Sequence, residues 1–182
     1  MRLQTSRLVL EDVGERPNPQ EFLSVFNTNP DFIEAAYGFT GKRSYELWDV
    51  ERFLVQETLR ENSHCLAIRL RETGQVVGMV AFVAPHPEVP SPWIGLLIIS
   101  ADCQSQGLGS EAATALEEYL RGKGWADVRL AVLQGLPKAR QFWERLGYAV
   151  YEEWQDERKR PCWLMRKALM PKAAQHERTS NA

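Results

Sequence analysis

Apolar positions along the chain change their period several times, and each change marks an element. In "RLVLEDV" (7–13) apolar and polar residues alternate, the signature of a strand with one face buried. "NPQEFLSVFN" (18–27) predicts a helix, since Asn18 can cap it, Pro19 suits the first helical position, and Phe22, Val25 and Phe26 share one face. A longer helix is predicted from after Ser44 to about Arg60, with Leu47, Val50, Leu54 and Val55 turned inward. The period then falls to two. "HCLAIRLRE" and "VVGMVAFVA" flank "ETGQ" and read as an antiparallel hairpin with Gly74 in its turn. "PHPEVPSP" (85–92) holds too much proline for either regular element and reads as a stiff loop.

"WIGLLIIS" (93–100) is almost wholly apolar and short, which predicts a strand buried on both faces. After "QSQGLGSE" (104–111), Leu108, Ala112, Leu116 and Tyr119 recur at helical spacing, and Gly124 ends that helix. "DVRLAVL" (127–133) predicts another buried strand. Pro137 opens a short helix carrying Ala139, Phe142, Trp143 and Leu146, closed by Gly147, and "YAVYEEW" and "CWLMRKAL" form a closing pair of strands. These elements predict a single α/β domain over about residues 1–170. The tail, 171–182, has no apolar pattern and is expected to be disordered.

Composition narrows the class. The chain has 182 residues, 44% hydrophobic and 25% charged, which suits one soluble globular domain with a sizeable core. A formal net charge of −2 gives no reason to expect nucleic acid as partner. Cys65, Cys103 and Cys162 are odd in number and lack CxxC spacing, so neither a disulfide framework nor a metal site is expected. Cys103, beside the glycines, reads as a small packing residue rather than a reactive thiol. The opening is too polar for a signal peptide and no apolar run reaches the ~20 residues that span a bilayer, so a cytoplasmic protein without membrane attachment is expected.

Gly107 and Gly109 stand just ahead of a predicted helix, where glycine costs roughly 1 kcal/mol against alanine unless the backbone needs it. A helix N-terminus exposes unpaired N–H groups and carries about half a positive charge, so it attracts phosphate. Gly107 would let the backbone approach a phosphate, and Gly109 would let the first turn fold around it. The loop has neither the Lys-Ser/Thr ending of a P-loop nor three glycines in dinucleotide spacing. What it offers is backbone amides with the neutral side chains of Gln104 and Gln106, which suits a diphosphate held without a metal ion.

On these residues the chain resembles the GNAT N-acetyltransferase superfamily. Members carry Gln/Arg-x-x-Gly-x-Gly/Ala between their fourth strand and third helix, and Gln104, Gly107 and Gly109 match that pattern. About thirty residues on, "LPKARQFWERLGY" matches the family's second motif at Ala139, Phe142, Gly147 and Tyr148. "LQTSRLVLE" also looks like a common family opening. The resemblance implies a mixed, mostly antiparallel sheet of about six or seven strands with about four helices. It implies acetyl-CoA as acyl donor, with Leu97, Ile98 and Ile99 pairing their backbone with the pantetheine arm. The loop Gln104, Ser105, Gln106, Gly107, Leu108, Gly109 and Ser110 would then hold the diphosphate. A backbone N–H near Ile98 or Ile99 would serve the oxyanion.

The same resemblance marks departures. The family's usual acid, a Tyr on the last helix, falls on Trp143, whose indole donates a hydrogen bond but releases no proton at working pH. A Glu base used by some members, eleven residues before the Gln of the loop, falls on Trp93, and the family's Asn falls on Leu136. Nearby alternatives for a base are His86 and Glu88 in the proline-rich loop and Glu152 or Glu153 further on. Glu88 is the candidate catalytic residue because it lies closest in sequence to the strand. The acceptor pocket is expected between the N-terminal helices and the closing strands, with Tyr37, Trp48, Trp93 and Trp154 as possible lining. The implied activity is acetyl transfer to a primary amine of a small molecule or peptide. The alternative is a non-catalytic acyl-CoA-binding sensor or subunit, and a homodimer is compatible with either.

Overall fold

In the computed structural model, residues 1–30, 32, 34 and 44–169 are described. Tyr37 and the tail 171–182 lie outside them. The alternating segments become the strands β1 (Arg2–Gln4), β2 (Leu8–Asp12), β3 (Ser63–Leu70), β4 (Val76–Val83), β5 (Trp93–Ile99), β6 (Asp127–Leu133), β7 (Ala149–Gln155) and β8 (Pro161–Ala168). The helices are α1 (Leu23–Asn27), α2 (Leu47–Thr58), α3 (Leu108–Gly122) and α4 (Pro137–Arg145). The strands form one sheet in the order β1-β2-β3-β4-β5-β6-β8-β7, and β5–β6 is its only parallel pair among the described residues. The sheet has eight strands, one more than the six or seven expected. The addition is β1, too short to show a period, which forms because residues 5–7 turn it back along β2 in the register Leu3↔Leu10.

Two apolar layers cover the sheet. On one side α3 and α4 pack Leu108, Ala112, Leu116, Leu120 and Trp143 against Leu8, Leu66, Val80, Leu130 and Met165. On the other, α1 and α2 pack Phe22, Val25, Phe26, Val50, Phe53 and Leu54 against Cys65, Met79, Leu96 and Ile98. The buried stripe of α2 is thus Val50, Phe53 and Leu54. Leu47 and Val55, expected inward, are 43% and 40% exposed. The helix starts three residues later than Ser44, with Glu46 as its cap: the Glu46 amide donates to Asp49 Oδ2 at 2.9 Å. β6 alternates rather than being buried throughout, with Val128, Leu130 and Val132 inward and Ala131 exposed.

β5 is irregular. Its register with β4 jumps between Ala81↔Leu96 and Phe82↔Ile94, leaving Gly95 as a bulge. The extra residue reverses which side chains face which layer: Ile94 joins the α3–α4 layer, whereas Leu96 and Ile98 join the α1–α2 layer. Pairing with β6 stops at the same place, covering Trp93↔Arg129 and Ile94↔Leu130. Beyond Ile94 the two neighbouring strands diverge, and the sheet opens.

Candidate active site

The gap between β5 and β6 is the mouth of a cleft of about 1070 Å³. Its walls are Ile94–Ile99 on one side and Leu130–Leu133 on the other. The glycine loop, with Thr28 and Asn29 bonded beside it, lies at the Ile99 end, and Pro30, Phe32, the start of α4, Asp156, Arg160 and Cys162 complete the lining. The cleft runs between β5 and β6, and no residue of α1 or α2 is among its lining. Its lining differs from expectation, because Trp93 is absent from it and Trp48 and Trp154 are 52% and 58% exposed elsewhere.

The backbone of β5 is directional here. The Ser100 amide donates to Val77 O at 2.8 Å, and Ile98 pairs with Met79 two positions back, so Ile98 and Ser100 turn their polar groups to β4. Alternation turns those of Leu97 and Ile99 into the gap. The Ile99 carbonyl is taken: Asn29 Nδ2 donates to it at 3.1 Å and Gln104 Nε2 at 2.8 Å. What remains facing the gap is the Leu97 N–H and C=O and the Ile99 N–H. Of the two amides expected near the oxyanion, that of Ile99 turns into the gap and that of Ile98 turns toward β4.

The glycine loop is built by backbone conformation. Gly107 caps α3 with φ +80°, a left-handed geometry that L side chains avoid, and Ser105 adopts φ 61°. The first intrahelical bond runs from the Glu111 amide to Gly107 O at 3.0 Å, so the amides of Leu108, Gly109 and Ser110 have no acceptor within the helix. Gly109 packs against α4 and β5: a Cβ there would stand 3.4 Å from Phe142 Cε2 and 3.6 Å from Ile99 Cγ1, in ordinary contact with both. Gln104 is committed to bracing, since its Nε2 also donates to Asn29 Oδ1 at 2.8 Å. Gln106 Nε2 donates to Asp102 O at 3.2 Å. An anion at this loop would thus meet backbone amides, with the glutamines holding the loop's shape.

Among the described cleft residues the one carboxylate is Asp156. It sits in the β7–β8 turn and accepts from the Arg160 amide at 2.8 Å and from Arg160 Nε at 2.8 Å. Burial alone would raise its pKa, but those bonds outweigh burial and hold it below the usual carboxylate range. Glu88 is exposed in the loop ahead of β5 and is not among the lining residues; its amide donates to His86 Nδ1 at 3.2 Å, and the His86 ring lies 5.2 Å from that of Trp93. Glu152 and Glu153 are exposed on β7 and also outside the cleft. Trp143 is buried in the wall, edge-on to Phe142 and Tyr148 at 4.9 Å each. Burial raises the Tyr148 hydroxyl pKa well above normal, and neighbouring Glu117 raises it further, so it releases no proton. Cys103 is a free thiol packed against the core layer. No group of three His, Cys, Asp or Glu among the described residues is placed to hold a metal.

A sheet split beside its one parallel pair, with a glycine-capped helix at the end of the split, has counterparts among known proteins. The sequence profile of the acetyltransferase (GNAT) family matches residues 28–148, well over half of the chain. The chain belongs to that family. A search of curated proteins gave no match. Solved GNAT folds resemble it throughout. An acetyltransferase from Thermus thermophilus is 24% identical, with a TM-score of 0.69 over 93% of this chain and 100% of the other. A spermidine N-acetyltransferase from Vibrio cholerae, solved with CoA and spermine, is 17% identical with a TM-score of 0.68 over 92% and 98%. A GNAT-family acetyltransferase from Bacillus anthracis is 13% identical with a TM-score of 0.71 over 92% and 98%. At such identities the structures share the fold, and the GNAT profile carries the family. No helix among the described residues is long and apolar enough to cross a membrane.

Three kinds of contact were not legible in the sequence. Asn29 lies outside both family motifs, yet bonds the last carbonyl of β5. Asp156 and Arg160 form a turn whose place at the cleft follows only from the order of β7 and β8. Thr5, Ser6 and Arg7 reach the first turn of α3 across about a hundred residues.

Proposed function

We propose that the chain transfers the acetyl group of acetyl-CoA to a primary amine of a small molecule or peptide. The observation that carries this reading is the gap in the sheet: Leu97 and Ile99 present backbone groups along it, and it leads to the Gly107 cap. The amides of Leu108, Gly109 and Ser110 suit the diphosphate of CoA, and the gap suits an extended amide-bearing arm that adds itself to β5 as a strand does. Lys138, Arg145 and Arg160 outnumber Asp156 on the described walls, a balance suited to phosphate.

Acetyl-CoA supplies an activated acyl carbon and a thiol that leaves. The chain orients that carbon and aims an N–H of Leu97 or Ile99 at the oxygen where negative charge develops, a contribution of about 3 kcal/mol for a well-placed donor. Trp143 offers a fixed apolar wall and at most one hydrogen bond. Asp156 is tied to Arg160, so the amine delivers its proton to water. An amine of ordinary pKa near ~10.4 is under ~0.1% neutral at pH 7, so the rate should climb about tenfold per pH unit.

Thiol release from acetyl-CoA with a panel of amines between pH 7 and 9 tests the reading. Amine-dependent release that rises with pH supports it. A chain that binds CoA but releases no thiol with any amine would instead be the non-catalytic binder. The cationic wall makes a polyamine, the kind of ligand in the Vibrio cholerae structure, the poorest match in the panel.

A further inference from the structure

The profile match begins at residue 28, so the opening segment "LQTSRLVLE" is unassigned by it. That segment touches the glycine loop. Between β1 and β2 the chain turns through Thr5, Ser6 and Arg7, and all three converge on Glu111 in the first turn of α3. Thr5 Oγ1 donates to Glu111 Oε1 at 2.5 Å, Ser6 Oγ at 3.1 Å and the Arg7 amide at 2.9 Å. Arg7 Nε donates to Glu111 Oε2 at 2.6 Å, and Arg7 Nη1 reaches past it to Gln106 O in the loop at 2.9 Å. Its Nη2 lies 3.4 Å from where a Gly107 Cβ would be.

Two physical consequences follow. A carboxylate in the first turn of a helix sits where the exposed amides attract anions, and its charge opposes any anion brought to the same amides. Four donors hold Glu111 toward the N-terminal turn, and one of them is a cation that cancels its charge. The Nη1 bond also fixes the carbonyl immediately before Gly107, which holds that peptide in the left-handed cap. We propose that Arg7 is a positioning residue for the diphosphate cradle: it neutralises Glu111, draws it off the helix N-terminus, and locks the loop through Gln106. This rests on the reading that the loop holds the diphosphate of CoA.

The turn itself does not depend on the Arg7 side chain. Arg71 Nη1 donates to Thr5 O at 2.9 Å and Ser6 O at 3.1 Å, and the Arg71 amide donates to Arg7 O at 2.9 Å. Substitution of Arg7 therefore spares the β1–β2 hairpin and acts on the loop.

The test is titration of the full chain, as wild type, R7M and R7K, with CoA and separately with pantetheine, which lacks the diphosphate. R7M should weaken CoA roughly tenfold, the scale of one charge-assisted hydrogen bond, and leave pantetheine unchanged. R7K, keeping the charge, should recover part of the loss. R7M binding CoA as wild type does, or losing CoA and pantetheine equally, would overturn the inference and leave the proposed function standing. A wild type that fails to bind CoA would instead overturn the proposed function, and this inference with it.

Discussion

The two ends of β5 are built in different ways. At the Ile99 end the loop is held from distant parts of the chain: Asn29 and Gln104 converge on one carbonyl, Thr28 Oγ1 lies 3.1 Å from Ser100 Oγ, and Arg7 and Glu111 meet across the molecule. At the Trp93 end the proline-rich loop has local bonds, from His86 N to Ser91 O at 3.1 Å, Ser91 N to Val89 O at 2.8 Å and the Glu88 amide to His86, and one tie to β6, from Arg129 N to Pro92 O at 3.0 Å. Long-range bonds fix a backbone to a geometry, whereas local ones only keep a loop short. The end that must present amides in fixed directions has more of the first kind. On the proposed function, binding would thus rest on backbone held by the sheet, while the positions expected for the family's acid and base hold Trp143 and Trp93.

The contrast is broken most severely at Gly107. G107E places a side chain and a charge where an anion must approach, in a φ of +80° that costs a non-glycine residue about 1 kcal/mol. CoA affinity measured calorimetrically should fall at least ~100-fold, the cost of roughly 3 kcal/mol. The melting temperature should fall by only ~2–4 °C. Unchanged affinity in the folded variant would remove the loop from the cofactor site.

Glu111 gives the contrast a pH dependence. Burial raises its pKa, but the bonds from Thr5, Arg7 and Ser6 outweigh this and hold it at about 2, against 4.5 for the ordinary group. Since the folded value is the lower one, its stabilisation is complete above about 4.5 and is lost as pH falls toward 2. Melting curves of wild type and E111Q should differ most at pH 6–7 and draw together as pH falls from about 4.5 through 2. Curves that stay parallel across that range would show that the carboxylate is not held as described.

Trp143 sharpens the comparison from the chemical side. W143F removes an indole from a buried aromatic stack but no proton donor, so turnover on an identified acceptor should stay within about tenfold of wild type. Loss of a general acid would cost a factor of ~10²–10⁴. The smallest effect is expected at the other end of β5. E88Q lies on an exposed loop outside the cleft, and its pH–rate profile should overlie that of wild type. A lower inflection present only in wild type would make Glu88 the base after all.

Much of this was legible in the sequence because glycine and apolar period are local signals. Gly74, Gly107, Gly124 and Gly147 all take positive φ where turns and helix ends were predicted. The strand 93–99, the helix from 108 and the short helix after Pro137 stand where their periods put them. The bulge at Gly95 was not legible, since one glycine in an apolar run carries no mark of the register it shifts. Gln104 matched a family position, yet only the fold shows its side chain bracing Ile99. Arg7 and Glu111 had no local sign at all, because their pairing exists only once β1, β2 and α3 are assembled.

The split between β5 and β6 gives this sheet a third edge, and one in its middle. Exposed strand edges invite other chains to add to them, and the outer edges β1 and β7 face that hazard openly, β1 with only three residues. The inner edge is different in kind. It is faced by the opposing strand β6 and ends at the glycine loop, so whatever adds to it must fit between two strands of the same sheet. The geometry that leaves the sheet incomplete also selects what can complete it.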